Sequence, residues 1–273
     1  MATSSAVLDV RQRVQHPVKE LLYRARDPEW MADCALRTLT MAWDAVSPSE
    51  FSRIYRRVRR RTMCSNARLR GLYRGAKYVV QRGIPGDFVE CGCALGGSAA
   101  LIALTLRELG AERDLWLFDT FEGLPAPTED DPDLEIARMF TGTCLGTLQE
   151  VRELFWQLKI GERARFAKGM FQDTLPAAPV SEIAFLHIDG DWYESVKTCL
   201  ENLYDKVVPG GLIQFDDYGC WKGARRAVDE FLKSRNLRGP LKRVDYAGRV
   251  LVKAASPLKP YDSPANRELV MAE

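Results

Sequence analysis

The chain has 273 residues, enough for one large domain or for a domain with an appendage. Hydrophobic residues make up 46% of it and charged residues 28%, which is typical of globular proteins. The formal net charge of +2 indicates no nucleic-acid partner, and no stretch reaches the roughly 20 apolar residues of a membrane span. The first residues show no secretory signal, and the cysteine spacing fits neither zinc nor a redox pair, so we expect a cytoplasmic protein with reduced thiols.

Residues 1–82 show no strand pattern, and we expect them to form a helical region that acts as a substrate lid or oligomer contact. Apolar residues at helical spacing between positions 18 and 46, interrupted at Asp27-Pro28, predict two helices. Residues 51–77 contain ten arginines or lysines and no acid. This basic stretch is interpreted as a helical face turned to solvent or to a partner subunit, with a site for an anionic group as the alternative.

After Gly86, short apolar runs alternate with helical stretches up to a closing hairpin with its turn at Ala247-Gly248. This alternation predicts an α/β fold, in which a doubly wound, Rossmann-like parallel sheet is covered by helices and ends in an antiparallel hairpin. We assign the domain to residues 83–255 and a tail to 256–273. The predicted strands are 87–92, 114–119, 163–169, 183–189 and 210–217, and the predicted helices are 96–110, 148–159 and 224–235.

The interval 124–161 is too long for a simple connection between a strand and the next one. It contains the acidic segment "PAPTEDDPD" and the helical stretch "LQEVRELFWQLK". We expect it to form a mobile lid insertion over a ligand site, because ligands of open parallel sheets bind beyond the carboxyl ends of the strands.

The segment "VECGCALGGS" predicts a strand, a glycine turn and a helix, which is the usual start of a nucleotide site. The spacing is Glu90-x-Gly92-x-x-x-Gly96-Gly97, so the dinucleotide fingerprint G-x-G-x-x-G is absent. A carboxylate here suits a cationic amino-acid group, and Asp119 follows at the next strand end, where an acid accepts bonds from ribose hydroxyls. Together these residues favour S-adenosylmethionine over NAD, although the glycine turn alone could merely pack a helix on a strand.

Four carboxylates follow the two most apolar predicted strands: Asp189 and Asp191 after one, Asp216 and Asp217 after the other. The ends of neighbouring strands lie about 4.8 Å apart, so these acids should converge. Crowded carboxylates need a counter-charge, and Mg²⁺ prefers such oxygen ligands, whereas the alternative is that the acids cap helices and turns. Asp191 is then either a proton acceptor or an orienting residue, and His187 is expected to be a hydrogen-bonded core residue.

These motifs together resemble the macrocin O-methyltransferase family. The resemblance covers about residues 61–253 and rests on "TM....RL" (from Thr62), "GIPGDFVECG....GG", "FDTFEGLP", "KGMFQDTLP", "HIDGDWYES" and "VPGGLIQFDDYG". It implies a class I methyltransferase sheet, S-adenosylmethionine and Mg²⁺ as cofactors, methyl transfer to a sugar hydroxyl of a natural product or its precursor, and a homo-oligomer.

The resemblance also implies roles for individual residues. Asp189, Asp216 and Asp217 are the expected metal ligands, and Asp191 is the expected general base. The expected cofactor contacts are Thr62, Met63, Glu90, Cys91, Gly92, Cys93, Ala94, Gly96, Gly97, Ser98, Asp119, Thr120, Phe121, Gly123, Met170, Phe171 and Asp189.

Four other functions compete with this hypothesis. A catechol-type O-methyltransferase usually has Asp-Asn where this chain has Asp216-Asp217, and a non-catalytic S-adenosylmethionine-binding subunit should have a damaged acid cluster. A dehydrogenase would need the missing glycines, and a nucleic-acid methyltransferase would show a base-flipping aromatic motif. The acceptor is therefore expected to be a small molecule with a hydroxyl group, with no nucleic acid or membrane as partner.

Overall fold

The structure, a computed structural model, describes residues 28–237 and 239–254, and seven strands of this part form one sheet. The strands are β1 Asp87–Cys91, β2 Leu115–Asp119, β3 Ala164–Lys168, β4 Ile183–Ile188, β5 Val207–Phe215, β6 Lys242–Arg243 and β7 Arg249–Val252. Their order is β3-β2-β1-β4-β5-β7-β6. The first five are parallel, and β7 runs antiparallel to both β5 and β6. The predicted fold class and closing hairpin are confirmed.

Helices precede the sheet and cover both of its faces. They are α1 Pro28–Val46, α2 Glu50–Val58, α3 Asn66–Gln81, α4 Gly97–Glu108, α5 Leu134–Arg138, α6 Leu148–Leu158, α7 Phe171–Thr174, α8 Tyr193–Leu203 and α9 Lys222–Ser234. A short 3₁₀ turn follows α8 at Tyr204–Lys206. The helix predicted before Pro28 and the predicted tail lie outside the described residues.

Local sequence explains where several of these helices begin. Ser49 and Ser65 accept the N–H groups of Ser52 and Arg68, which caps α2 and α3. Helix α6 begins with a capping box, in which Thr147 Oγ1 accepts the N–H of Glu150 and the Glu150 carboxylate accepts the N–H of Thr147.

The core lies in two layers, one on each face of the sheet. One layer includes Leu69, Leu72 and Leu101 from α3 and α4, and the other includes Val196 and Leu200 from α8. Strand β4 is buried along its whole length because helices cover both faces. None of the described helices is both long enough and apolar enough to cross a membrane.

The basic stretch 51–77 extends over α2 and α3 and does not form one uniform exposed face. Arg68 is buried, Arg70 Nη2 lies 2.6 Å from Asp44 Oδ1, and Lys77 Nζ lies 3.2 Å from a Glu50 carboxylate oxygen. Several of its charges therefore tie the helical region together, so neither interpretation of the whole stretch describes it fully.

Residues 124–161 contain α5 and α6, and the first part is hydrogen-bonded to the domain beneath it. Asp131 Oδ1 accepts the Tyr193 N–H at 2.8 Å, and Asp133 Oδ2 accepts the Lys222 N–H at 3.0 Å. The indole N–H of Trp192 donates to the carbonyl of Pro125 at 2.8 Å. This segment is thus anchored to the starts of α8 and α9, and its action as a lid stays a prediction.

Candidate active site

The order of the strands reverses between β1 and β4, and most of the residues expected to bind a cofactor lie at or directly after the carboxyl ends of β1, β2, β3 and β4. Ligands of open α/β sheets bind at such a switch point. The backbone joins the ends directly, because the N–H of Asp189 donates to the carbonyl of Cys91 at 2.8 Å and that of Gly169 to the carbonyl of Asp119 at 3.0 Å. The expected cofactor residues of these four strands therefore share one edge.

Asp119 holds the glycine turn after β1 in place. Its Oδ2 accepts the N–H groups of Cys93 and Ala94 at 2.7 and 3.0 Å, and its Oδ1 accepts that of Phe121 at 2.7 Å. Ala94 and Phe121 have positive φ angles of 43° and 53°, a conformation that costs energy in residues other than glycine. The carboxylate thus stabilises both strained loops, a role that the sequence did not indicate beside the predicted ribose contact.

Thr62 and Met63 come from the helical region but reach the same edge. The N–H of Gly97 donates to the Arg61 carbonyl at 2.8 Å, and a Cβ at position 97 would overlap that carbonyl and lie 2.8 Å from Thr62 Cβ. Only glycine lets the start of α4 approach this segment so closely. Met63 is 42% exposed, so its side chain is accessible to a ligand.

Glu90, His187 and Asp216 form a buried polar chain across β1, β4 and β5. His187 Nδ1 lies 2.7 Å from Glu90 Oε1, and His187 Nε2 lies 3.4 Å from Asp216 Oδ1. Burial lowers the pKa of His187, but the carboxylates of Asp216 and Glu90 raise it to about 9. The predicted core role of His187 is confirmed, and Glu90 Oε2 is buried without a hydrogen-bond partner among the described residues.

The four predicted carboxylates do converge, together with one thiol. Ligand atoms of Asp189, Asp191 and Asp217 lie within 4.8 Å of one another, and so do those of Cys64, Asp189 and Asp216. The three expected metal ligands therefore fall into two overlapping groups that share Asp189.

The carboxylates of this cluster differ in how well neighbouring positive charges stabilise them. Burial and then the negative charge of Asp216 raise the pKa of Asp189, and the same two causes raise that of Asp217 to about 6. Burial alone would raise the pKa of Asp216 too, but Arg68 and His187 lower it below its usual range. The crowding of buried negative charge is therefore unfavourable at Asp189 and Asp217, and a bound cation would relieve it.

Both the backbone and the carboxylate of Asp191 are held by hydrogen bonds. Its φ of 57° is left-handed, and its N–H donates to Asp217 Oδ2 at 3.1 Å. The indole N–H of Trp221 donates to Asp191 Oδ1 at 2.9 Å. Trp221 is buried against Trp192 and Phe140, so this donor is rigidly placed. These contacts hold the Asp191 carboxylate in one orientation.

Sequence reasoning missed several residues of this site. The buried Arg68 forms an ion pair with Asp216 Oδ2, and its Nε lies 3.3 Å from Asp245 Oδ2. Cys64 and Trp221 contact the acids directly. Arg68 belongs to the quoted motif "TM....RL" but had no assigned role, and Cys64 was recognisable only by its closeness to Thr62 and Met63 in the chain. Nothing in the local sequence pairs Trp221 with Asp191.

The donor set fits a hard divalent cation. Carboxylate oxygens are the ligands that Mg²⁺ prefers, and clustered acids with raised pKa values are the arrangement that such a cation stabilises. Asp189, Asp216 and Asp217 are the residues that would hold the ion, with Asp216 shared between it and Arg68.

A 3-2-1-4-5-7-6 sheet with a ligand edge of this kind defines the class I methyltransferases, enzymes that use S-adenosylmethionine. Within that class, the chain belongs to the macrocin-O-methyltransferase (TylF) family, whose model matches residues 56–253. The resemblance stated from the motifs is thereby confirmed. The chain is an O-methyltransferase.

Two curated relatives illustrate the family. The chain is 34% identical over 193 residues to the 8-demethyl-8-(2,3-dimethoxy-alpha-L-rhamnosyl)-tetracenomycin-C 4'-O-methyltransferase of Streptomyces olivaceus. It is 35% identical over 192 residues to the demethyldecarbamoylnovobiocin O-methyltransferase of Streptomyces niveus. Both matches cover 68% of this chain and 73% of the relative.

Two solved structures of methyltransferases have the same fold as this chain. The O-methyltransferase NovP is 30% identical with a TM-score of 0.67, and the match covers 81% of this chain and 99% of NovP. The calicheamicin methyltransferase CalS11, at 21% identity and a TM-score of 0.58, shows the same fold.

Proposed function

We propose that this enzyme requires Mg²⁺ and methylates a hydroxyl of a sugar in a natural product or its precursor. The observation that carries the proposal is the convergence of Asp189, Asp191, Asp216 and Asp217 beside the edge that carries the expected cofactor residues. The names of the two relatives give a rhamnosyl-tetracenomycin-C and demethyldecarbamoylnovobiocin as the molecules they methylate, which supports a glycosidic acceptor.

One half of the site binds the methyl donor and the other half binds the acceptor. The glycine turn after β1, the Asp119–Gly123 segment and the loop before α3 hold the methyl donor, and the residues after β4 and β5 hold the acceptor hydroxyl. Alignment of two bound reactants is itself a large part of catalysis. Mg²⁺, when bound, lowers the pKa of a hydroxyl and orients it.

Asp191 is proposed as the residue that accepts the acceptor's proton. Trp221 fixes one of its oxygens from 2.9 Å, and the backbone of Asp191 is tied to Asp217. A positioned carboxylate of this kind is a competent general base. An intact acid cluster of this geometry also argues against a non-catalytic binding subunit.

The proposed homo-oligomer is supported by the surface of α1. This helix exposes three large apolar side chains: Leu39 is 70% exposed, Trp43 67% and Val46 77%. A cluster of exposed apolar side chains marks a surface that another protein covers. Light scattering coupled to size-exclusion chromatography tests this part of the proposal, and a monomer at working concentration contradicts it. A cytoplasmic location remains part of the proposal as well.

A methyl-transfer screen tests the main proposal. Desalted enzyme would be incubated with S-adenosylmethionine and either glycosides or catechols, with Mg²⁺ or with EDTA. Turnover of a glycoside that EDTA abolishes and Mg²⁺ restores is expected. Turnover that EDTA leaves unchanged contradicts the metal requirement, and exclusive turnover of catechols contradicts the acceptor class.

A further inference from the structure

Cys64 is the one non-carboxylate member of the two described ligand groups. Its Sγ lies 3.6 Å from Asp189 Oδ2 and 3.8 Å from Asp216 Oδ2. These two carboxylates come from different strands, so the thiol is placed between the ends of β4 and β5. Protonated, it donates weak hydrogen bonds to both acids.

The backbone fixes the position of this sulfur. The N–H of Cys64 donates to Thr62 Oγ1 at 3.1 Å, and the next residue, Ser65, caps α3. The Ser65 hydroxyl also donates to the buried Asp245. The thiol is therefore carried on a short turn that is hydrogen-bonded on both sides.

We propose that Cys64 is a further ligand of the cation site, which makes it a mixed sulfur–oxygen site that also accepts thiophilic divalent ions such as Cd²⁺ and Zn²⁺. This inference rests on the proposed function, since it concerns the same site. Binding of such an ion would replace the proton of the Cys64 thiol, which is released to solvent, because the thiolate is the ligand. Thiolate sulfur favours soft and borderline ions, whereas Mg²⁺ favours oxygen. Cys64 should therefore raise the affinity for Cd²⁺ and Zn²⁺ without raising that for Mg²⁺, and these ions should compete with Mg²⁺.

Cadmium reports the sulfur directly, because a Cd²⁺–thiolate bond produces an ultraviolet charge-transfer band. The full-length enzyme, freed of metal by a chelator, would be titrated with Cd²⁺ alone, and the same titration would be made on Cys64→Ser. We expect a saturable band at one equivalent in the unaltered enzyme. In Cys64→Ser the band should disappear and the Cd²⁺ affinity should fall at least about tenfold.

Cys144 provides the matched control, because its half-buried thiol lies near the same acids and 3.7 Å from Met63 Sδ, yet belongs to neither ligand group. Cys144→Ser should keep the band. A band that survives in Cys64→Ser, or that is lost in Cys144→Ser instead, overturns the inference.

Calorimetry with Mg²⁺ separates this inference from the proposed function. Cys64→Ser should bind Mg²⁺ as the unaltered enzyme does and melt at a similar temperature, which shows that the site and the fold remain. If the unaltered enzyme binds Mg²⁺ but gives no band with Cd²⁺, the sulfur ligand is refuted and the metal requirement stands. If neither ion binds, both are refuted.

Discussion

Replacing Asp191 with asparagine tests the proposed base with little disturbance of the structure. The amide oxygen of asparagine can still accept the Trp221 N–H, which donates to Asp191 Oδ1 at 2.9 Å. The backbone bond from position 191 to Asp217 is also unaffected by the change. Asp191→Ala is less informative, because it would remove the acceptor of the buried Trp221 N–H, which costs about 1–3 kcal/mol.

The expected loss follows from the role of a general base. Such a group contributes about 10²–10⁴-fold to the rate. At about 1.36 kcal/mol per factor of ten, the barrier rises by about 2.7–5.4 kcal/mol. The decrease should appear in kcat, because an interaction made only in the transition state is lost.

Single-turnover methyl transfer measures this decrease, and calorimetry measures the Kd for S-adenosylmethionine, which should stay unchanged. Trp221→Phe is the companion variant: it keeps the aromatic packing but removes the donor to Asp191, so a smaller loss of kcat is expected. A decrease of less than about tenfold in Asp191→Asn would refute the assignment of Asp191 as the base.

Three further predictions concern the fold and the ligands of the site. Gly97→Ala should weaken S-adenosylmethionine binding in calorimetry by displacing the segment before α3, whereas Gly161→Ala, where an added Cβ meets only one atom at 3.9 Å, should not. Asp189→Asn should lose Mg²⁺ binding in calorimetry and EDTA-sensitive turnover; retention of both would exclude it as a ligand. Arg68→Met should lower the free energy of unfolding by about 3–5 kcal/mol, because it removes the buried guanidinium that contacts both Asp216 and Asp245. Arg163→Gln, at an exposed ion pair worth at most about 1 kcal/mol, is the control, and equal losses for the two variants in urea unfolding would contradict this.

Much of the fold could be predicted from local sequence. The five apolar runs became the five parallel strands, because a strand buried on both faces must be apolar along its length. The predicted helices 96–110, 148–159 and 224–235 correspond to α4, α6 and α9, whereas α7 and α8 were not predicted. The motif "HIDGDWYES" and the pair Asp216-Asp217 likewise predicted a cluster of carboxylates, because the ends of neighbouring parallel strands lie at the same edge of the sheet.

Other features could not be predicted in this way. The sequence interpretation treated the basic stretch 51–77 as one surface, but Arg68 within it is buried against Asp216, 148 residues further along the chain. It assigned Asp119 only to a ligand, but the carboxylate holds three backbone N–H groups of two strained loops. Neither contact could be inferred from the sequence, because a side chain's partner depends on contacts between distant segments.

The sequence by itself determined the succession of the five parallel strands, the family, and the presence of four carboxylates at the ends of two strands, because these follow from periodicity and from residues close together in the chain. Only the tertiary structure decided how the carboxylates divide into two groups, which of them Arg68 and His187 neutralise, and that Cys64 stands among them. These properties depend on distances of a few ångströms between α3, β4 and β5, and such distances exist only once the helices have packed on the sheet.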